Sequence, residues 1–291
     1  MSASKIQGVI TALATPFKDG VVDKKSFQRL LRKQLEDGID GFVVNGTTGE
    51  SPALSRDEVK DLFAMAQSEV AGAVPLILGT GTNSTAGTVE LTRDLCKLKP
   101  DAVLVVVPYY NRPTQRGLLQ HFKTVAENSP APVLLYDVPS RSVAALNAET
   151  VGELSREKNI LGIKDATGNM DTLKNIKSAV REDFVLLSGD DATCADYGAR
   201  GGAGVISVSS HLIGAEMKDF LKRGKAAVVE YTVKYAELMK HLYIEPNPVP
   251  LKMALYWMGI FDSPEMRLPL VTLDEKFHKD FKTCLKNLGK L

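Results

Sequence analysis

Apolar residues gather along this chain in short, mostly unbroken runs: Val9–Ala14, Gly41–Val44, Pro75–Leu78, Ala102–Val107, Val133–Val138, Ile160–Ile163, Phe184–Leu187 and Gly204–Val208. A strand wetted on one face alternates apolar with polar residues, whereas a strand buried on both faces does not. The runs therefore predict parallel strands covered on both sides. Between them the period changes. Phe27, Leu30, Leu31 and Leu35 form a helical stripe that Gly38 terminates. Ser55 and Glu58 have the spacing of a capping box ahead of Val59, Leu62, Phe63 and Ala66. Leu118, Phe122 and Val125 form a further stripe, as do Leu173, Ile176 and Val180.

Eight strand candidates alternating with helices predict an α/β fold, a closed (β/α)8 TIM barrel. An open doubly wound sheet is the alternative. Gly79-Thr-Gly81-Thr-Asn-Ser84 lacks the third glycine of a dinucleotide fingerprint, and there is no phosphate-cradling lysine loop. Beyond about Arg223 the strand signals stop. Lys225–Tyr243, Pro250–Gly259 and Leu273–Leu288 read as helices, with Pro246-Asn-Pro248-Val-Pro250 between the first two. The expected organisation is a barrel over residues 1–224 and a C-terminal helical appendix over 225–291.

Composition narrows the function classes. With 291 residues and 44% hydrophobic content the chain can bury one large core. A net charge of +1 provides no basic face for nucleic acid. The longest apolar run is far below the roughly 20 residues of a membrane helix, and the N-terminus lacks the apolar core of a secretory signal. Cys96, Cys194 and Cys284 are dispersed and odd in number, which fits a reducing compartment. A cytoplasmic protein that binds neither nucleic acid nor membrane is expected. The four histidines form no ligand pair, so no metal is expected.

Catalytic groups of a barrel of this kind stand at the C-terminal ends of its strands. Lys164 follows Ile163 directly. Desolvated in a barrel mouth, its amine is a nucleophile for a ketone carbonyl; the alternative is an ammonium paired with Asp165. Tyr136 ends another run, and its phenol is suited to proton relay or to a satisfied core position. Gly46-Thr47-Thr48-Gly49-Glu50-Ser51 offers amides and hydroxyls to a carboxylate, or is simply a turn. Arg141 has the planar fork that grips carboxylates, unless solvated. Tyr109-Tyr110-Asn111 closes the fourth run, either as active-site groups or as surface packing. Asp190 and Asp191 read as strand-end or capping residues.

Five segments occur in order at these strand ends: Gly46-Thr-Thr-Gly-Glu-Ser51, Pro108-Tyr-Tyr-Asn-Arg-Pro-Thr114, Tyr136-Asp-Val-Pro-Ser-Arg141, Gly162-Ile-Lys-Asp-Ala-Thr-Gly168 and Gly201-Gly-Ala-Gly-Val-Ile-Ser207. In these the chain resembles the pyruvate-dependent lyase family of the dihydrodipicolinate synthases and N-acetylneuraminate lyases, from about Gly8 to the C-terminus. The resemblance implies a Schiff base between Lys164 and pyruvate, and a relay of Tyr136, Thr48 and Tyr110, the last from a neighbouring subunit. It implies that Thr47 and Thr48 hold the pyruvate carboxylate, that Arg141 binds aspartate semialdehyde, and that Ile206 brings a backbone carbonyl near the lysine. No organic cofactor is implied. A homotetramer of tight dimers is. Arg141 favours the synthase branch over the neuraminate branch. Another 2-keto-acid aldolase of the family, and a non-catalytic barrel that senses a 2-keto acid, are the competing readings. Asp137 and Ser142 stand where the synthase pattern frequently has asparagine and threonine. Lysine-inhibited relatives bind lysine near the positions of Ser51, Asn83 and Tyr109. Here Arg56, Val59 and Gly87 replace histidines and a glutamate, which implies weak or absent lysine feedback.

Overall fold

The structure, a computed structural model, describes residues 6–291. Eight parallel strands close into a barrel: β1 (Gly8–Ala12), β2 (Gly41–Val44), β3 (Leu76–Gly79), β4 (Ala102–Val106), β5 (Val133–Asp137), β6 (Ile160–Asp165), β7 (Val185–Ser188) and β8 (Gly204–Ser207). Each strand pairs with its neighbours in sequence, and β1 closes the ring by pairing with both β2 and β8. The helices that follow these strands are α1 (Lys24–Glu36), α2 (Arg56–Val70), α3 (Thr85–Leu95), α4 (Gln115–Asn128), α5 (Ala148–Leu154), α6 (Met170–Ala179), α7 (Cys194–Ala199) and α8 (Ser210–Arg223). Three more, α9 (Val228–Leu242), α10 (Val249–Trp257) and α11 (His278–Asn287), complete the described chain.

The unbroken apolar runs follow from two separate cores. Along β5, Leu134 and Tyr136 join Ile10, Ile77, Leu104, Leu187 and Ile206 inside the barrel. The alternate residues Val133 and Leu135 pack outward with Phe122, Val125 and Ile176 of the surrounding helices. Successive strand residues point to opposite faces, so a strand lined on both sides needs apolar residues throughout.

Local signals set the helix ends. Ser55 and Glu58 form the reciprocal capping box of α2, and Gly38 takes φ +72° just beyond α1, where a side chain would be strained. Strand ends shift by a residue or two from the apolar runs. β6 runs on through Lys164 and Asp165, because its ladder to β5 continues with Tyr136↔Lys164 and Asp137↔Asp165. A small hairpin, Phe17–Lys18 with Val21–Val22, precedes α1, and a four-residue helical turn, Pro139–Ser142, carries Arg141.

Helices α9 to α11 share the barrel's outer core. Tyr231, Tyr235, Leu251, Leu255 and Phe281 lie in one cluster with Phe27, Phe42 and Phe63. Asp191, fully buried, ties the segments together. Its Oδ2 accepts from Val208 N, Ser209 N and Tyr243 Oη at 3.0, 2.8 and 3.0 Å. Among the described residues, no helix is long and apolar enough to cross a membrane.

Candidate active site

Strand parity builds the site. Tyr136 faces the barrel interior, and its ladder partner Lys164 must face the same way. Lys164 is 6% exposed, and its Nζ lies 4.1 Å from the centre of the Tyr136 ring. No carboxylate lies within ion-pair distance of that nitrogen among the described residues; neighbouring Asp165 points to the opposite face, where Thr167 N and Oγ1 donate to its Oδ1. The lysine needs space as well as burial. A Cβ on Gly189 would come within 2.9 Å of Lys164 Cε and 2.8 Å of Ala166 Cβ, so a glycine is required there for the side chain to lie as it does.

A cavity of about 360 Å³ opens at the C-terminal ends of β2 to β5. Thr47, Tyr109, Tyr136 and Arg141 are among the residues that line it. Thr47, Thr48 and Gly49 form a 3-10 turn directly after β2, with Thr48 buried. Asn247 Nδ2 donates to Thr48 Oγ1 at 3.0 Å, and Arg141 Nη2 donates to Asn247 O at 3.0 Å. Ile206 lies in β8, 1% exposed, among the interior residues.

Tyr110 is not gathered with these groups within the chain. It is 89% exposed and held at φ +74°, a conformation that costs a bulky residue energy. Tyr109 beside it is 38% exposed. Ser51 lines both the main cavity and a second one of about 210 Å³, which also touches Arg56, Val59 and Gly87. The Arg56 guanidinium reaches Glu90 at 2.9 Å across that edge. Asn83 O accepts from Asn111 Nδ2 at 2.7 Å.

Next to Tyr136 and Lys164 in the ladder lies a second pair of partners, Asp137 and Asp165, 1% and 2% exposed. Leu146 N donates to Asp137 Oδ2 at 3.2 Å. Asp137 Oδ1, Asp165 Oδ2 and the Tyr197 hydroxyl have no partner among the described residues. Burial pushes the Asp137 carboxyl up to about 7, with Asp165 adding to the effect, and burial raises Asp165 also. Two neighbouring buried carboxyls do not both ionise readily near neutral pH.

Nothing local in the sequence points to Asn247, Gly189 or Lys252, and Glu50 enters only as part of the Gly46–Ser51 turn. The Asn-Pro-Val-Pro stretch that holds Asn247 reads only as a helix break, and Lys252 meets Glu50 across 202 positions.

A parallel eight-stranded barrel with a buried lysine beside a tyrosine at its mouth has the geometry of enzymes that act on carbonyl compounds through a lysine amine. The chain belongs to the dihydrodipicolinate synthetase family, which it matches over residues 5–288. It is 45% identical to the 4-hydroxy-tetrahydrodipicolinate synthase of Bdellovibrio bacteriovorus over 98% of this chain and 99% of that protein. Among solved structures it is similar to a dihydrodipicolinate synthase described as the first monomeric variant, with TM-score 0.95 and 39% identity, covering 99% of both chains. It is also similar to the chloride-inhibited dihydrodipicolinate synthase of Acinetobacter baumannii complexed with pyruvate, with TM-score 0.94 and 38% identity, covering 98% of this chain and 100% of that one.

Proposed function

We propose that the barrel mouth joins pyruvate to L-aspartate 4-semialdehyde through a Schiff base on Lys164, giving 4-hydroxy-tetrahydrodipicolinate for the diaminopimelate route to lysine. The observation that carries this is the position of Lys164: buried, free of a carboxylate partner, and on the interior face beside Tyr136. Its amine attacks C2 of pyruvate, water leaves, and a protonated imine remains. That imine withdraws electrons, so the methyl carbon gives up a proton and becomes the terminus of an enamine. The enamine carbon attacks the aldehyde carbon, and the resulting alkoxide takes a proton through Tyr136. The substrate's own amine then attacks C2 and displaces Lys164, closing the ring.

Thr47 and Thr48 hold the pyruvate carboxylate, and Arg141 binds the carboxylate of the semialdehyde at the cavity rim. Ile206 presents its carbonyl near the lysine. Tyr110 completes the relay with Tyr136 and Thr48 in a second copy of the chain; an aromatic ring held out at a strained backbone position supports that placement. The assembly is a homotetramer built from tight dimers, working in the cytoplasm, where three unpaired cysteines suit reducing conditions. Ser51, Asn83 and Tyr109 mark the edge where relatives take lysine. Arg56 brings a like charge to the smaller cavity and Gly87 supplies no carboxylate there, so lysine inhibits this chain weakly or not at all.

The test is pyruvate-dependent condensation with aspartate semialdehyde, in the wild type and in Lys164→Ala. Turnover lost in the variant is expected. A folded wild type without turnover on this pair rejects the assignment and directs the search to other aldehydes.

A further inference from the structure

The Thr47–Gly49 turn ends in a residue that needs external support. Glu50 takes φ +55°, ψ +41°, the left-handed region that a glutamate occupies only when its surroundings hold it. Its side chain is 2% exposed. Lys252 Nζ donates to Glu50 Oε1 at 2.6 Å, and Arg267 N donates to Glu50 Oε2 at 3.1 Å. Lys252 is itself fully buried, its ammonium 4.3 Å from the centre of the Phe17 ring. Two residues earlier in the turn, Thr48 Oγ1 accepts from Asn247 Nδ2 at 3.0 Å. The side chains of Thr48 and Glu50 are thus both fixed from residues 247–267, outside the barrel.

We infer that Lys252 and Asn247 are positioning residues for the carboxylate-binding turn, so that the C-terminal helical segment is a working part of the substrate site. The inference rests on the reading of Thr47 and Thr48 given above. A hydroxyl that accepts from an amide keeps its own proton for another acceptor. Asn247 therefore turns the Thr48 proton toward a bound carboxylate or the Tyr136 phenol. Lys252 neutralises Glu50 where water does not reach. Without it the carboxylate must leave its place, and the strained backbone relaxes with it.

A purely structural ion pair and a positioning one differ in what they move. The variants are Lys252→Met, the charge-free pair Glu50→Gln/Lys252→Met, Asn247→Ala, and Thr48→Ala as the control. Each is assayed for melting temperature and for the KM of pyruvate and of aspartate semialdehyde. A turn displaced by a fraction of an ångström loses binding steeply. Pyruvate KM is expected to rise about tenfold or more in Lys252→Met, in Asn247→Ala and in the double variant, with the semialdehyde KM moving much less. The double variant recovers most of the melting temperature that Lys252→Met loses, because no buried charge is orphaned. It therefore decides the question even where Lys252→Met fails to fold. A double variant with wild-type pyruvate KM, alongside a raised KM in Thr48→Ala, overturns the inference alone. An unchanged pyruvate KM in Thr48→Ala removes instead the carboxylate contact of the Thr48 hydroxyl, on which the inference rests.

Discussion

Asp137→Asn replaces a carboxyl that burial holds up to about 7 with a neutral group of the same shape. In the unfolded chain this carboxyl ionises near its ordinary value of 3.8. Between these two values the folded protein holds a proton that the unfolded chain releases. Stability from this group is therefore complete below pH 3.8 and is lost as pH rises through about 7. Each pH unit in that window costs about 1.4 kcal/mol. From pH 5 to pH 8 the wild type loses at most about 3 kcal/mol that Asp137→Asn, having nothing to ionise, keeps. The asparagine carbonyl can still accept from Leu146 N. The measurement is melting temperature at pH 5 and pH 8. For a chain of this size about 2 °C accompanies each kcal/mol, so the advantage of Asp137→Asn should widen by about 5 °C toward pH 8. A difference that is the same at both pH values, or that favours the wild type at pH 8, would mean that Asp137 does not hold a proton in the folded chain.

Gly189→Ala places a methyl against Lys164 and should lower kcat by about a hundredfold, with the loss of borohydride-trapped pyruvate adduct as the check. Arg141→Ala should raise the semialdehyde KM by tenfold or more (about 2 kcal/mol for a lost charge-assisted contact) while leaving pyruvate trapping intact; a raised pyruvate KM alone would contradict its assignment to the second substrate. Lysine titrated to the millimolar range should leave turnover essentially unchanged, and strong inhibition at sub-millimolar lysine would show that Arg56 and Gly87 do not close the site.

The barrel was legible because strands covered on both faces are apolar at every position, and eight such runs leave few architectures. Boundaries were less so where chemistry interrupts hydropathy. Lys164 and Asp165 look like the start of a loop, yet the hydrogen-bond ladder carries them as strand. The Phe17–Lys18 and Val21–Val22 hairpin is too short to show a period. Lys164, Tyr136, Thr47 and Arg141 stand out as candidates in the sequence because each closes or follows a strand. The long-range contacts that brace this end of the barrel do not stand out. Asn247 reaches Thr48 across 199 positions, and Asp191, which reads locally as a strand-end or capping residue, accepts from Tyr243 across 52. A contact made only by the closed fold leaves no local mark in the chain.

The proposed chemistry requires Lys164 as the nucleophile. Incubation with pyruvate and borohydride, followed by peptide mass analysis, tests it most directly. One reduced pyruvate adduct per chain is expected, on the peptide that contains Lys164, and none in Lys164→Ala. An adduct on another lysine, or a folded wild type left unmodified, would contradict it.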